Sequence, residues 1–469
     1  MSHPEVEKFE NYRNELNKTG CGFCLAKWTQ VTTHLHLGRT HSCHHPDTHP
    51  IPVEEINRNP SALHNTRFKK QKRKEMLDGK RPSECDYCWK VEDNSNQISD
   101  RVYKSHEPWS KPHHKEIREM DWREDYNPKY MEVSFSNKCN FKCSYCGPSF
   151  SSSWAQEIEK HGPYPTTDLF NNFDWLKKSG RMPIHHKDYN PYVEAFWKWW
   201  PDLYRDLDTF RITGGEPLLS KDTWGVLDYI IDEENPNTNL NISINTNLGV
   251  PDKLIDKLIE KIKRIEDEGR VKSFVIYTSV DGWGEQAEYA RTGLEFNRFW
   301  DNLNKILTKC PTVTVGIMST YNALSLSTYN KLIKEVYGLK MEYGSPDRSW
   351  STAVSLDCSF LRHPEHQTVR VVPLSFSDLV KSHGELAETL TTFPHNFDQE
   401  IWGFTQMEIP KFHRVYDWMV SPQDEKELLK NQHNFYKFFN AHDERRGTNF
   451  LKTFPEYEEF YNYCKGITF

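Results

Sequence analysis

No run of apolar residues in this 469-residue chain approaches the roughly 20 that a membrane-spanning helix needs, so a helical membrane protein is not expected. An excess of positive charge is also missing. A formal net charge of -7 and a pI near 6.3 give no global reason to expect nucleic acid or an anionic membrane as partner. The N-terminus has no signal-like segment and the 11 cysteines form no even framework, which argues against a disulfide-stapled fold and for a reducing, cytoplasmic setting. A mean hydropathy of -0.81 is low, but 13% aromatic residues and 15 tryptophans are too many for a disordered chain. This length predicts two or three domains with substantial cores.

The chemistry is concentrated in cysteine. Cys139, Cys143 and Cys146 stand in the run Asn137-Lys-Cys-Asn-Phe-Lys-Cys-Ser-Tyr-Cys-Gly147. A C-x3-C-x2-C loop brings three thiolates to one tight turn, enough to ligate three irons of a 4Fe-4S cube and leave the fourth open to a substrate or cofactor. A fourth cysteine at zinc-site spacing is absent near residue 146, which disfavours structural zinc there. The preceding run, 131–136, alternates as a strand does, so the loop is expected at the C-terminal mouth of a first strand. A second strand-like run, Thr209–Thr213, leads into Thr213-Gly-Gly-Glu-Pro217. Glycines let main chain approach a ligand closely, and the carboxylate can pair with an ammonium.

With these motifs in this order on consecutive strands, the sequence resembles the radical S-adenosylmethionine (radical SAM) superfamily. The resemblance implies a partial (β/α)6 TIM barrel and a 4Fe-4S cluster on Cys139, Cys143 and Cys146, with an aromatic, here Tyr145, before the third cysteine. It implies that Gly214, Gly215, Glu216 and Pro217 line the methionine end of S-adenosylmethionine, Glu216 reaching its amino group. Ribose and adenine contacts are implied for polar residues ending the later strands: Ser243 and Asn245, then Ser279 and Asp281 in an S-x-D-G element, then Thr320 and Asn322. Arg291 matches an arginine that follows the fourth strand in relatives, where it would pair with the cofactor carboxylate; a surface ion pair is the alternative.

From about residue 130 strand-like and helix-like runs alternate, which reads as α/β with a parallel sheet. The expected strands are 131–136, 209–213, 240–246, 273–279, 312–319 and one near 352–357 or 369–373, separated by amphipathic stretches such as 252–262. The chain divides into an N-terminal cysteine-rich module at 1–129, a barrel at 130–373 interrupted by an inserted loop at about 161–190, and a helical C-terminal extension at 374–469. Trp197, Trp199 and Trp200 are expected to pack on the barrel rather than stack on substrate. Cys310, Cys358 and Cys464 read as structural thiols.

Five more cysteines precede the barrel: Cys21, Cys24, Cys43, Cys85 and Cys88. Together with Glu92, Ser99 and Arg101 they resemble the twitch module, the half-length relative of the SPASM domain, here N-terminal rather than C-terminal to the barrel. The resemblance implies an auxiliary 4Fe-4S cluster on Cys24, Cys43, Cys85 and Cys88, with Cys21 as the alternative to Cys24. Two C-x2-C pairs among six histidines, His34, His36, His41, His44, His45 and His49, fit structural zinc as well. The basic run 67–74 reads as a solvated helix face that Gly79 stops.

The function these features imply is reductive cleavage of S-adenosylmethionine to a 5'-deoxyadenosyl radical that takes hydrogen from a substrate. A peptide is expected first and a nucleotide or other small molecule second, with an electron donor such as flavodoxin or ferredoxin. The competing class is a non-enzymatic Fe-S or zinc protein.

Overall fold

The strand-like runs of the sequence lie side by side in one sheet. The computed structural model describes residues 4–95, 97–345, 347–348, 352–391 and 403–468. Its strands are β1 (Gln30–His34), β2 (Arg39–His41), β3 (His49–Pro50), β4 (Tyr130–Ser134), β5 (Lys142–Cys143), β6 (Thr209–Thr213), β7 (Asn241–Asn245), β8 (Ser273–Thr278), β9 (Arg291–Thr292), β10 (Thr314–Tyr321) and β11 (Val354–Phe360). The main sheet runs β11-β10-β8-β7-β6-β4-β1-β2-β3. From β11 to β1 every neighbouring pair is parallel. A parallel sheet with successive strands adjacent aligns all their C-terminal ends along one edge, where loops can build a site.

Helices cover the sheet because each carries an apolar stripe. In the helix Asp252–Asp267, Ile255, Leu258, Ile259, Ile262 and Ile265 are buried, a three-to-four-residue repeat. The strands they cover carry buried Ile242 and Ile244, Phe274 and Ile276, Val315 and Ile317, as a covered parallel sheet requires. Each such side chain contributes about 1.5–3 kcal/mol of burial. The sixth parallel strand is β11; of the two stretches expected, 369–371 forms a short 3-10 turn instead. Pro373 follows that turn and removes a donor the ladder would need.

β1 was not among the expected strands. It joins β4 in parallel, Gln30 opposite Tyr130 and His34 opposite Ser134, so the sheet crosses the boundary drawn at residue 129. Val31 and Thr33 are fully buried there. The N-terminal segment also has a core of its own, with Leu16, Phe23, Trp28, Met76 and Ile117.

Trp199 and Trp200 are buried as expected, Trp200 lying 4.7 Å from Phe210 between ring centroids, while the half-buried Trp197 donates to Asp222 at 2.9 Å. Cys310, Cys358 and Cys464 are buried free thiols. The inserted stretch includes the short helix Phe173–Lys178. C-terminal helices follow, notably Ile409–Val420 and Glu425–Arg446, the latter ending at Gly447 in the left-handed region, φ 68°; residues 392–402 lie outside the described set. Among the described residues no helix is long and apolar enough to cross a membrane.

The basic run departs from expectation. Helix Arg67–Leu77 forms and Gly79 follows at φ 76°, but Lys69 and Arg73 face inward and are buried. Arg73 donates to the Lys27 carbonyl at 3.2 Å and to Asn65 Oδ1 at 2.9 Å. Arg73→Ala leaves these acceptors orphaned and should cost about 2–4 kcal/mol. Lys74→Ala, which breaks only an i,i+4 ion pair to Asp78, should stay within about 0.5 kcal/mol. Denaturant midpoints distinguish the two, and equal small effects would restore the solvated-face reading.

Candidate cofactor and metal sites

The cysteine loop leaves the end of β4, and its main chain is pinned from three directions. Short strand β5 within it pairs antiparallel with β9, setting Cys143 opposite Arg291. Helix Ser152–His161 starts with three serines that tie the loop: Ser151 Oγ donates to the Phe141 carbonyl at 2.7 Å, Ser153 Oγ to the Cys139 carbonyl at 2.7 Å, and Ser152 Oγ accepts from Cys139 N at 3.1 Å. Trp154 Nε1 donates to the Cys143 carbonyl at 2.8 Å.

The third constraint comes from the C-terminal extension. Arg446, at the end of its helix, donates to the Lys142 carbonyl at 2.7 Å and to both oxygens of Glu157 at 3.1 Å. Lys142 and Tyr164 also donate to Glu157, each at 2.6 Å. Burial raises the Glu157 carboxyl, but Arg446 first and then its other donors outweigh that and hold it at about 2. Neither Glu157 nor Arg446 was anticipated from the sequence, because the two lie almost 300 positions apart and only the fold joins them.

The glycine motif lies against this loop. Gly215 N donates to the Ser136 carbonyl at 3.1 Å and Glu216 N to the Lys138 carbonyl at 2.7 Å. A Cβ on Gly214, at φ 124°, would fall 2.8 Å from the Ser136 carbonyl, and one on Gly215 would fall 2.5 Å from that of Lys138. The close approach that demands glycine here is therefore to the cysteine loop itself.

Cys139, Cys143 and Cys146 line one cavity of about 250 Å³ with Tyr145, Gly214, Gly215, Asn245, Ser279, Arg291 and Thr320. Thr246 and Asn247 line it too and were not anticipated in that role. Of the remaining expected contacts, Ser243, Glu216, Pro217, Asp281 and Asn322 are buried and stand outside that lining. Glu216 accepts from Leu218 N at 3.0 Å, Thr246 Oγ1 at 2.8 Å and Asn247 N at 2.7 Å, tying the loop after β6 to the loop after β7; burial nonetheless lifts its carboxyl to about 7. Asp281 accepts from Arg291 at 2.8 and 3.1 Å, from Tyr145 Oη at 2.7 Å and from Thr320 N at 2.8 Å. Arg291 forms a buried ion pair with Asp281 rather than a surface one, and its Nη1 lies 3.7 Å from Cys143 Sγ in the cavity wall. Burial pushes the Cys146 thiol up to about 12, so a metal binding there must displace the proton.

Three half-buried thiols, glycine-edged main chain and polar strand ends in one cavity fit a cluster with an open iron and an amino-acid-bearing nucleoside beside it. Comparison with known proteins agrees. Residues 133–322 match the radical SAM superfamily. The chain carries a radical SAM domain. Among curated relatives, the GTP 3',8-cyclase of Aliarcobacter butzleri (strain RM4018) is 25% identical over 134 residues. That similarity covers 29% of this chain and 30% of the cyclase.

Beyond the cysteine-loop cavity lies a second one of about 600 Å³, sharing Tyr145, Cys146 and Phe150 with it. Its far wall carries His34, His41, His44, His45 and Pro46. His45 and Pro46 in turn line a third pocket, into which Cys24, Cys43, Cys85 and Cys88 converge with Asp100 and Arg101. Cys21 is exposed outside it, its Sγ 3.3 Å from the Gly79 carbonyl. Among the described residues no three of these sulfurs lie within 4.8 Å of one another. Lys27 and Lys69 are buried nearby; Lys27 pairs with the Glu84 carboxylate and Lys69 meets His64 Nδ1 at 3.0 Å. Negative charge on the Cys85 sulfur, then on Glu84 and on the Cys43 sulfur, holds Lys27 above its usual range against its burial. Glu92 accepts from Ser99 at 2.5 Å and from Arg101 at 2.9 and 3.1 Å, so these three residues meet as one network.

The Glu157 network sets a pH test. Its carboxyl is depressed in the folded protein, so its contribution is complete above about pH 4.5 and lost as pH falls through about 2. Glu157→Gln should destabilise the apo-protein by roughly 3 kcal/mol at neutral pH, the gap narrowing over that window in urea titrations. A gap that does not change with pH would contradict the assignment.

Proposed function

We propose that the chain is a radical SAM enzyme with a second, auxiliary cluster. The observation that carries the reading is the convergence of Cys139, Cys143 and Cys146 with Gly214, Gly215 and the polar strand ends on one cavity at the C-terminal edge of a parallel sheet. In this reading the three thiolates hold a 4Fe-4S cluster, and Asn245, Thr246, Asn247, Ser279 and Thr320 hold S-adenosylmethionine. The bound pair supplies reductive cleavage to a 5'-deoxyadenosyl radical that takes hydrogen from the substrate. Asp281 and Glu216 act from behind the wall: both spend their oxygens on the protein and hold the loops that touch ligand.

Substrate enters the adjoining cavity of about 600 Å³, a volume suited to a small ligand or a peptide segment. Its fixed charges are Arg181 against Asp47 and Asp168, a poor match for a polyphosphate and a better one for a peptide. The second reading, a nucleotide substrate, rests on the partial similarity to a GTP cyclase. A reductant of the flavodoxin or ferredoxin type supplies the electron in a cytoplasmic setting.

The auxiliary site is assigned to Cys24, Cys43, Cys85 and Cys88 in a twitch-like module. Buried Lys27 and Lys69 suit a dianionic thiolate group, which stabilises cations that burial otherwise penalises. The wide sulfur spacing favours a cluster over tetrahedral zinc, whose sulfurs stand only ~3.8 Å apart.

The anaerobically reconstituted chain should carry about eight irons and release 5'-deoxyadenosine only when reductant is added. Cys143→Ala should abolish that release. The triple Ala variant at Cys139, Cys143 and Cys146 should keep about half the iron. Turnover in the single variant would sink the radical SAM reading, and a triple variant holding zinc but no iron would remove the auxiliary cluster alone.

A further inference from the structure

The wall between the second cavity and the N-terminal cysteine pocket contains a donor set that no cluster uses. His44 Nε2 and His45 Nε2 both point at one oxygen, Oδ2 of Asp100, at 3.3 and 2.6 Å. Among the described residues this is the group of three metal-ligating side chains whose donor atoms all lie within 4.8 Å of one another. Two features hold the donors in place. The His45 ring stacks on Tyr87 with centroids 3.8 Å apart and planes 13° from parallel, and the His44 ring lies 4.2 Å from that of His45. Asp100 is the first residue of the helix Asp100–His106, a rigid origin for its carboxylate.

We propose that His44, His45 and Asp100 bind a divalent first-row transition metal of the zinc class. Two imidazoles and one carboxylate form a donor set of intermediate softness that suits such ions and leaves coordination positions open. His44 and His45 line the cavity of about 600 Å³, so an open position faces it and takes water or an oxygen or nitrogen donor of whatever occupies the cavity. A mere hydrogen-bonded His-Asp pair needs one imidazole on the carboxylate; here a second converges on the same atom.

The site uses no cysteine and stands whether or not the radical reading does, so the two fail separately. The test uses the full chain with its clusters reconstituted, which keeps the thiols engaged, and Zn²⁺ as the probe under anaerobic conditions. About one zinc per chain should bind, and X-ray absorption should give a nitrogen and oxygen shell at ~2.0–2.1 Å with no sulfur. The His44 side chain is 60% exposed, so His44→Ala should fold normally, and it should weaken zinc binding on the order of a hundredfold. His363→Ala, which lines the same cavity apart from the three donors, should bind zinc as tightly as the parent. Absence of zinc binding, sulfur in the zinc shell, or unchanged affinity in both His44→Ala and Asp100→Asn would overturn the proposal.

Discussion

One carboxylate organises the C-terminal edge of the parallel sheet. Asp281, at the end of β8, receives four hydrogen bonds from three places: the Arg291 guanidinium, the Tyr145 hydroxyl in the cysteine loop and the Thr320 amide in β10. Burying a carboxylate and a guanidinium is costly, and the pair persists only because its donors and acceptors are so fully matched. Arg291 carries the constraint onward, since β9 places it opposite Cys143, with Nη1 3.7 Å from that sulfur. Two strand ends and two positions of the cysteine loop thus share one rigid centre, and the cavity holding the thiols forms around it.

The N-terminal segment is tied to that centre by the sheet rather than by a linker. Because β1 lies parallel to β4 in register, the chain leaves β1 at the edge where the cysteine loop leaves β4. His34 and His41 therefore stack at 5.5 Å on the rim of the second cavity. The cysteine-loop cavity, the 600 Å³ chamber and the N-terminal cysteine pocket follow one another, joined by Tyr145 and Cys146 on one side and by His45 and Pro46 on the other. From the opposite end of the chain, Arg446 closes the same loop through Glu157.

Much of this was legible in the sequence because it is local. The C-x3-C-x2-C loop, the Gly-Gly-Glu-Pro turn and the alternation of 131–136 are written within a few residues, and the structure brings those elements together at one edge. The amphipathic 252–262 stretch read as helix for the same reason. What could not be read depends on long-range geometry. The pairing of Arg446 with Glu157, the joining of β1 to the sheet and the inward turn of Lys69 and Arg73 have no signal at short range; a charged run looks the same whether it faces solvent or His64. The carboxylates of Asp281 and Glu216 accept from residues distant in sequence, and Thr246 and Asn247, which no short motif marks, stand in the cavity wall.

The proposed chemistry requires three thiolates that hold a cluster with one iron left open for S-adenosylmethionine. Electron-nuclear double resonance on the reduced, reconstituted chain, with S-adenosylmethionine labelled at its amino nitrogen and carboxylate, tests this directly. Hyperfine coupling from both labels to the cluster spin is expected, preserved when Cys85 and Cys88 are replaced by alanine. A reduced cluster signal on Cys139, Cys143 and Cys146 without coupling to either label would contradict it.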